Sequence, residues 1–235
     1  MENFNKTIKQ DKNNSENYRN FFDIFISEKK FQKGYLVLKK AIYNSAFKKS
    51  IIHDITEICS SRGCENKVVE LYEKLLTDKQ IKDKLEKEIK AEIYKDIGRI
   101  YFKQKSLKKA YSAIKKSMFY NSENGEAYFF LGLIHFEKGE YEKSEQKYIE
   151  ALNKNYDHWV IRKEIARLFC RQKKYNKAIV ELKKSIKMNP DVGQLYFEIG
   201  NVIYHFQKSS NKNRERALSY FKKSLQKGFE NDYLH

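Results

Sequence analysis

Five histidines and three cysteines are the side chains best suited to catalysis or metal binding, and their spacing organises neither. His53, His135, His158, His205 and His235 stand far apart. Cys59 and Cys64 are close, but no second pair of Cys or His follows at the spacing of a tetrahedral zinc site, and Cys170 is remote. The near pair can be read as a disulfide or as ordinary thiols in a reducing compartment. There is no glycine-rich phosphate loop, no Gly-x-Ser-x-Gly elbow and no His-Glu-x-x-His pair. An enzyme needs converging groups, so the chain reads as non-catalytic, without metal or cofactor. What remains is charge: a net +17, with lysine outnumbering arginine 40 to 8. Such a surface suits an acidic partner or nucleic acid. The same richness in Lys, Asn, Ile, Tyr and Phe is also what an AT-rich coding sequence produces.

The elements that position these charges are set by an internal period. Shifted by 34 residues, the chain matches itself without a gap over 91–124, 125–158, 159–192 and from 193 onward. At the seventh and eighth places stand Ile97-Gly98, Leu131-Gly132, Ile165-Ala166 and Ile199-Gly200. Twelve residues on comes a small residue, Ala110, Ser144 or Ala178, and the twenty-fourth place holds Ile114, Tyr148 or Leu182. Apolar residues recur at spacings of three and four, and a break near the fifteenth place, marked by Gly139, divides each segment into two helices. Small residues at the eighth and twentieth places let the two backbones cross closely. His135 replaces a packing aromatic and reads as a buried or half-buried filler.

Together these features resemble the tetratricopeptide repeat, including the one proline, Pro190, at the thirty-second place. The resemblance implies an all-α, right-handed α-solenoid of about six helix-turn-helix repeats. Carried upstream, the frame gives two divergent repeats, 15–48 and 49–82, in which Phe22 at the eighth place faces Gly34 at the twentieth. Large opposite absent conserves volume at the crossing. Residues 83–90 read as a helical insertion, since Ile81, Leu85, Ile89, Ile93 and Ile97 fall four apart and Thr77 with Gln80 offers a capping box. The last repeat runs 193–231, with a longer loop expected over Lys208 to Asn213, and 232–235 forms the C-terminal end. Residues 1–14 read as a polar, flexible tail. No stretch approaches the roughly eighteen apolar residues of a membrane span. Met1-Glu2-Asn3 does not open a signal segment, so the expected location is cytoplasmic.

In tetratricopeptide proteins the first helix of each repeat lines a concave groove that receives a peptide or helix of another protein. The resemblance therefore implies groove residues at Lys95, Arg99, Phe102 and Lys103 in the third repeat. In the fourth they are Phe129, Phe130, Leu133 and Phe136, in the fifth Lys163, Arg167 and Arg171, and in the sixth Asn201. Two basic ridges flank an apolar one, which suits an acidic segment with an apolar anchor. Neighbouring Glu92, Asp96 and Glu164 could neutralise part of the ridges. The family's carboxylate clamp would need Lys, Asn, Asn, Lys and Arg in turn where Lys95, Arg99, Phe130, Val160 and Glu164 stand, and only Lys95 fits. The expected function is a non-catalytic adaptor or scaffold. The alternatives are an RNA-associated basic scaffold and a self-assembling subunit that forms a homo-oligomer through the C-terminal end, where Phe229, Tyr233 and Leu234 can fold back as a cap.

Overall fold

A computed structural model describes residues 1–44, 48–81, 83, 85–206 and 210–229, and every regular element among them is an α-helix. The chain divides into two compact units, Met1–Glu123 and Asn124–His235. The first holds α1 (Glu2–Gln10), α2 (Ser15–Ser27), α3 (Phe31–Asn44), α4 (Lys48–Ser61), α5 (Glu65–Thr77), α6 (Lys87–Lys103) and α7 (Leu107–Tyr120). The second holds α8 (Gly125–Glu137), α9 (Tyr141–Asn153), α10 (Trp159–Arg171), α11 (Tyr175–Met188), α12 (Gly193–Phe206) and α13 (Asn211–Gln226). From α2 onward the helices pair in chain order as antiparallel hairpins. No helix among the described residues is long and apolar enough to cross a membrane.

Local chemistry starts and stops these helices. The Asn14 side chain accepts from the Glu16 amide at 3.1 Å, and Asn124 does the same for Glu126 at 3.1 Å, each satisfying an orphan donor of the first turn. Inside each described hairpin the fifteenth place takes the left-handed conformation: Lys29 at φ 57°, Gly63 at 63°, Lys105 at 59°, Gly139 at 76° and Lys173 at 59°. Only glycine adopts that geometry without a Cβ penalty, so the three lysines carry a small local strain. This turn is the break read from the sequence near Gly139. The sixth such place, Gln207, lies outside the described residues.

The helix crossings explain the glycines. A Cβ on Gly98 would stand 2.5 Å from Ile114 Cδ1. One on Gly132 would enter the Tyr148 ring, and one on Gly200 the Phe221 ring. The eighth place therefore meets the twenty-fourth side chain as well as the twentieth, where Ser144 Oγ donates to the Gly132 carbonyl at 2.9 Å. In the first hairpin, Phe22 lies 3.5 Å from where a Gly34 Cβ would sit, which is the reversed pairing expected there. A further tie was not read from the sequence. Ser117, Ser185 and Ser224, all at the twenty-seventh place once the five-residue insertion is counted, donate to the carbonyls of Ala91, Trp159 and Gly193 at 2.7, 2.7 and 2.9 Å.

Three sequence expectations are corrected. Residues 1–14 are not a loose tail: α1 packs through Phe4 and Ile8, with Phe4 fully buried and its ring 6.1 Å from Tyr18 and 5.2 Å from Phe21. Of the expected helical insertion 83–90, residues 87–90 are helical as the start of α6, whereas Asp83, Leu85 and Glu86 are not; residue 84 lies outside the described residues. Thr77 Oγ1 bonds back to the Glu73 carbonyl at 2.9 Å instead of capping, and Asp78 organises a turn by accepting from the Gln80 amide at 2.8 Å. Tyr35 and Lys39 donate to the same Asp78 carboxylate at 2.6 and 2.9 Å, so Ile81 and Leu85 are buried from a turn. Finally, residues 211–213 of the expected loop are the first turn of α13, capped by Ser210 Oγ on the Asn213 amide at 3.2 Å. At the C-terminal end the Phe229 ring lies 5.4 Å from Phe197, while Tyr233 and Leu234 fall outside the described residues.

Candidate peptide-binding cleft

The expected apolar ridge on α8 is not a surface. Phe129, Phe130 and Phe136 are 4%, 8% and 5% exposed. The Phe129 ring packs 5.9 Å from Tyr148 and 5.4 Å from Tyr156, and Phe136 lies 5.6 Å from Tyr141. Leu133 is half-buried. The sequence carried the signal: Ala-Tyr-Phe-Phe-Leu-Gly-Leu-Ile-His-Phe is apolar on every face, and such a helix is buried. His135, 8% exposed with Nδ1 2.6 Å from Glu140 Oε2, is the filler expected of it.

The basic ridges are largely zwitterionic. On α6, Lys95 pairs with Glu92 at 2.6 Å, and Arg99 reaches Glu57 at 3.2 Å and Asp96 at 3.5 Å. Asp96 is 4% exposed and accepts from Thr56 Oγ1 at 2.7 Å, and burial raises its pKa. Phe102 is half-buried and Lys103 exposed. These residues belong to the first unit. On α10, Lys163 lies 3.6 Å from Glu164, and Arg167 pairs with Glu164 at 3.3 Å and Glu137 at 3.2 Å. The Arg167 guanidinium also stacks 4.3 Å over the Phe136 ring. Arg171 is exposed and has no ion pair among the described residues.

Where α10 and α12 run side by side they leave a cleft of about 430 Å³. One wall carries Lys163, Glu164, Arg167 and Cys170, the other Gln194, Glu198 and Asn201, over a floor of buried Ala166, Leu182 and Val202, with the half-exposed Phe206 also lining it. Three expected groove residues, Lys163, Arg167 and Asn201, are therefore brought together, while the α8 aromatics do not line this space. Gln194 and Glu198 were missed, although they hold the second and sixth places of their segment, both ligand-facing in the family pattern. Gln194 Nε2 donates to Glu198 Oε1 at 3.0 Å. Asn201 has no hydrogen-bond partner among the described residues. Burial, reinforced by Glu164, raises the Glu198 carboxyl to about 7, against the opposing pull of Lys163 and Arg167. Burial and then Glu198 raise the Cys170 thiol to about 11, so it is protonated at neutral pH and a poor nucleophile. All three cysteines are free thiols. The cleft thus sets apolar residues between amide-bearing and charged side chains.

Residues 125–156, the hairpin of α8 and α9, match the family model described as tetratricopeptide repeat. That hairpin is a tetratricopeptide repeat. The fold of the chain is that of solved repeat structures of low identity. The crystal structure of MamA is 21% identical, with a TM-score of 0.57 over 74% of this chain and 94% of that one. The Cut9–Hcn1 hetero-tetramer of the APC/C is 12% identical with a TM-score of 0.68, over 98% of this chain and 43% of its counterpart. YrrB, described as a tetratricopeptide protein with an unusual peptide-binding site, is 16% identical with a TM-score of 0.50, over 98% and 94%. Comparison with curated proteins gives no match. In this chain α8, α10 and α12 are the first helices of successive hairpins, and the cleft is lined from α10, α11 and α12.

Proposed function

We propose that this tetratricopeptide-repeat protein is a non-catalytic interaction module, and that the α10–α12 cleft seats an extended or helical segment of another protein. The α10–α12 cleft carries this reading: an apolar floor beneath Gln194 and the Asn201 amide, which has no partner among the described residues. Carboxamides can donate to and accept from a peptide backbone at once, and the floor can desolvate one apolar anchor. Arg171, exposed at the end of α10 and without an ion pair among the described residues, favours a segment with acidic residues beside that anchor. The anchor's seat thus moves from the α8 aromatics, which are core, to Ala166, Leu182, Val202 and Phe206.

The test is recovery of the tagged protein from its own cells, wild type beside an Asn201→Arg, Arg171→Glu variant, with and without ribonuclease. A protein that is lost from the variant and indifferent to ribonuclease supports the module. The RNA reading predicts material stripped by ribonuclease. It has lost its stacking residue, since Phe129 is 4% exposed. Self-association would draw on Tyr204, Leu218 and Leu225, 47%, 53% and 41% exposed on the last hairpin, and predicts a concentration-dependent mass in sedimentation.

The cleft should also respond to pH. Glu198 faces Lys163, Glu164, Arg167 and Cys170, and its folded pKa of about 7 lies above the ordinary 4.5. Its contribution to stability is therefore fully present below pH 4.5 and is lost as the pH rises through about 7. Protonation also removes a negative charge from the binding wall. Retention of an acidic segment should be roughly three- to tenfold stronger at about pH 6 than at about pH 8. Glu198→Gln should flatten that dependence at the stronger level, and an unchanged pH profile in the variant would assign it elsewhere.

A further inference from the structure

A second surface lies in the first unit, away from the family's groove. Between Ile97 and Ser122 the chain carries seven basic residues and no acid. Helix α7 falls within this stretch and holds Lys108, Lys109, Lys115 and Lys116, all exposed, none with an acidic partner among the described residues. Helix α3 is also acid-free, yet its Lys39 pairs with Asp78 at 2.9 Å and its Lys40 bonds Asn5 at 2.7 Å. The α7 lysines have no such carboxylate or amide partner among the described residues.

They border a groove. Between α5 and the hairpin of α6 and α7 lies a space of about 450 Å³, floored by Leu76, Ile97 and Ala113 and walled by Tyr94 and Tyr101. Lys109 and Lys116 stand on its rim, where their ammonium groups sit 5.3 Å over the Tyr101 ring and 5.4 Å over the Tyr94 ring. Glu73 is the one acid lining the groove. Lys109 and Lys116 are two helical turns apart, about 10 Å.

We propose that this groove docks an acidic amphipathic helix of another protein. Its apolar face meets Leu76, Ile97 and Ala113, and carboxylates two turns apart meet Lys109 and Lys116. The geometry favours a protein helix over a nucleic acid on two counts. There is no arginine on α7 or in the groove to fork onto phosphate. A lysine covers one face of each tyrosine ring, and Tyr94 also stacks on Tyr120 at 5.8 Å, which competes with base stacking.

The experiment uses fluorescence anisotropy on the full chain with three probes: a synthetic amphipathic helix bearing Leu on one face and Glu seven residues apart on its flanks, the same peptide with Glu replaced by Lys, and single-stranded oligouridine. Three variants accompany the wild type, all at positions outside the core. Lys109→Glu, Lys116→Glu inverts the rim; Ser112→Trp fills the groove without changing charge; Asn201→Arg alters only the α10–α12 cleft. The expected result is binding of the acidic peptide alone, weakened at least about tenfold by the first two variants and unchanged by the third. Far-ultraviolet circular dichroism confirms that each variant retains its helices. Failure of the acidic peptide to bind, equal binding of the lysine peptide, or indifference to Ser112→Trp would overturn the proposal. Oligouridine binding that the rim variant abolishes would assign the surface to nucleic acid instead.

Discussion

Gly132→Val should unfold the second unit or leave it destabilised by at least about 3 kcal/mol. Any Cβ at this position enters the ring of Tyr148, which is fully buried and crossed by the Gly132 backbone. The ring cannot swing outward, because Phe129 packs against it at 5.9 Å. Replacing glycine inside a helix ordinarily favours helix by up to about 1 kcal/mol, so a loss here isolates the crossing as its cause. Thermal unfolding followed by circular dichroism measures it. Tyr148→Leu introduced together with Gly132→Ala should recover part of the loss suffered by Gly132→Ala alone. An undisturbed melting temperature for Gly132→Val would remove the close helix crossing from the account.

Phe4→Ala should cost the first unit roughly 3 to 5 kcal/mol, the range for an aromatic deleted from a packed core. Phe4 has no exposed surface, makes edge contacts with Tyr18 and Phe21, and lies under the Lys40 ammonium at 5.4 Å. Chemical denaturation reports the change. A disordered tail would make the same substitution silent, so the measurement separates the two descriptions of residues 1–14 directly.

These two sites mark what the sequence discloses and what it hides. The crossing at Gly132 was legible because glycine recurs at one place of a 34-residue period, and no other property of the chain requires its absence of a side chain. The hairpin turn was legible at Gly139 but not at Lys29, Lys105 or Lys173, where an ordinary residue adopts the same left-handed geometry under the constraint of the packed helices. Helix α1 was missed because its signal, Met1, Phe4 and Ile8 at spacings of three and four, is short and set among polar residues. The turn that starts at Asp78 reads as helix in the sequence because Ile81, Leu85 and Ile89, buried residues four apart, imitate a helix face. What decided against it was the Asp78 carboxylate, whose partners Tyr35 and Lys39 lie about forty positions away in the chain.

The candidate site divides in the same way. Lys163, Arg167 and Asn201 line one cleft. The α8 aromatics do not, because a place in a repeat specifies a direction, whereas burial depends on what packs from every side. The ridges lost much of their charge to Glu92, Asp96 and Glu164, acids one or three residues from the lysine or arginine they neutralise. Pairs three apart share a helix face, so this neutralisation could be read from the letters once the ridges were drawn.

The central claim, that the α10–α12 cleft seats a protein segment, is tested most directly by photo-crosslinking in the native cells. A benzophenone amino acid replaces Asn201 in one strain and Val180, 51% exposed on α11, in another. The account predicts that position 201 crosslinks to a short segment of another protein, that the adduct survives ribonuclease, and that position 180 does not capture it. No protein adduct at 201, or the same adduct at both positions, would contradict it.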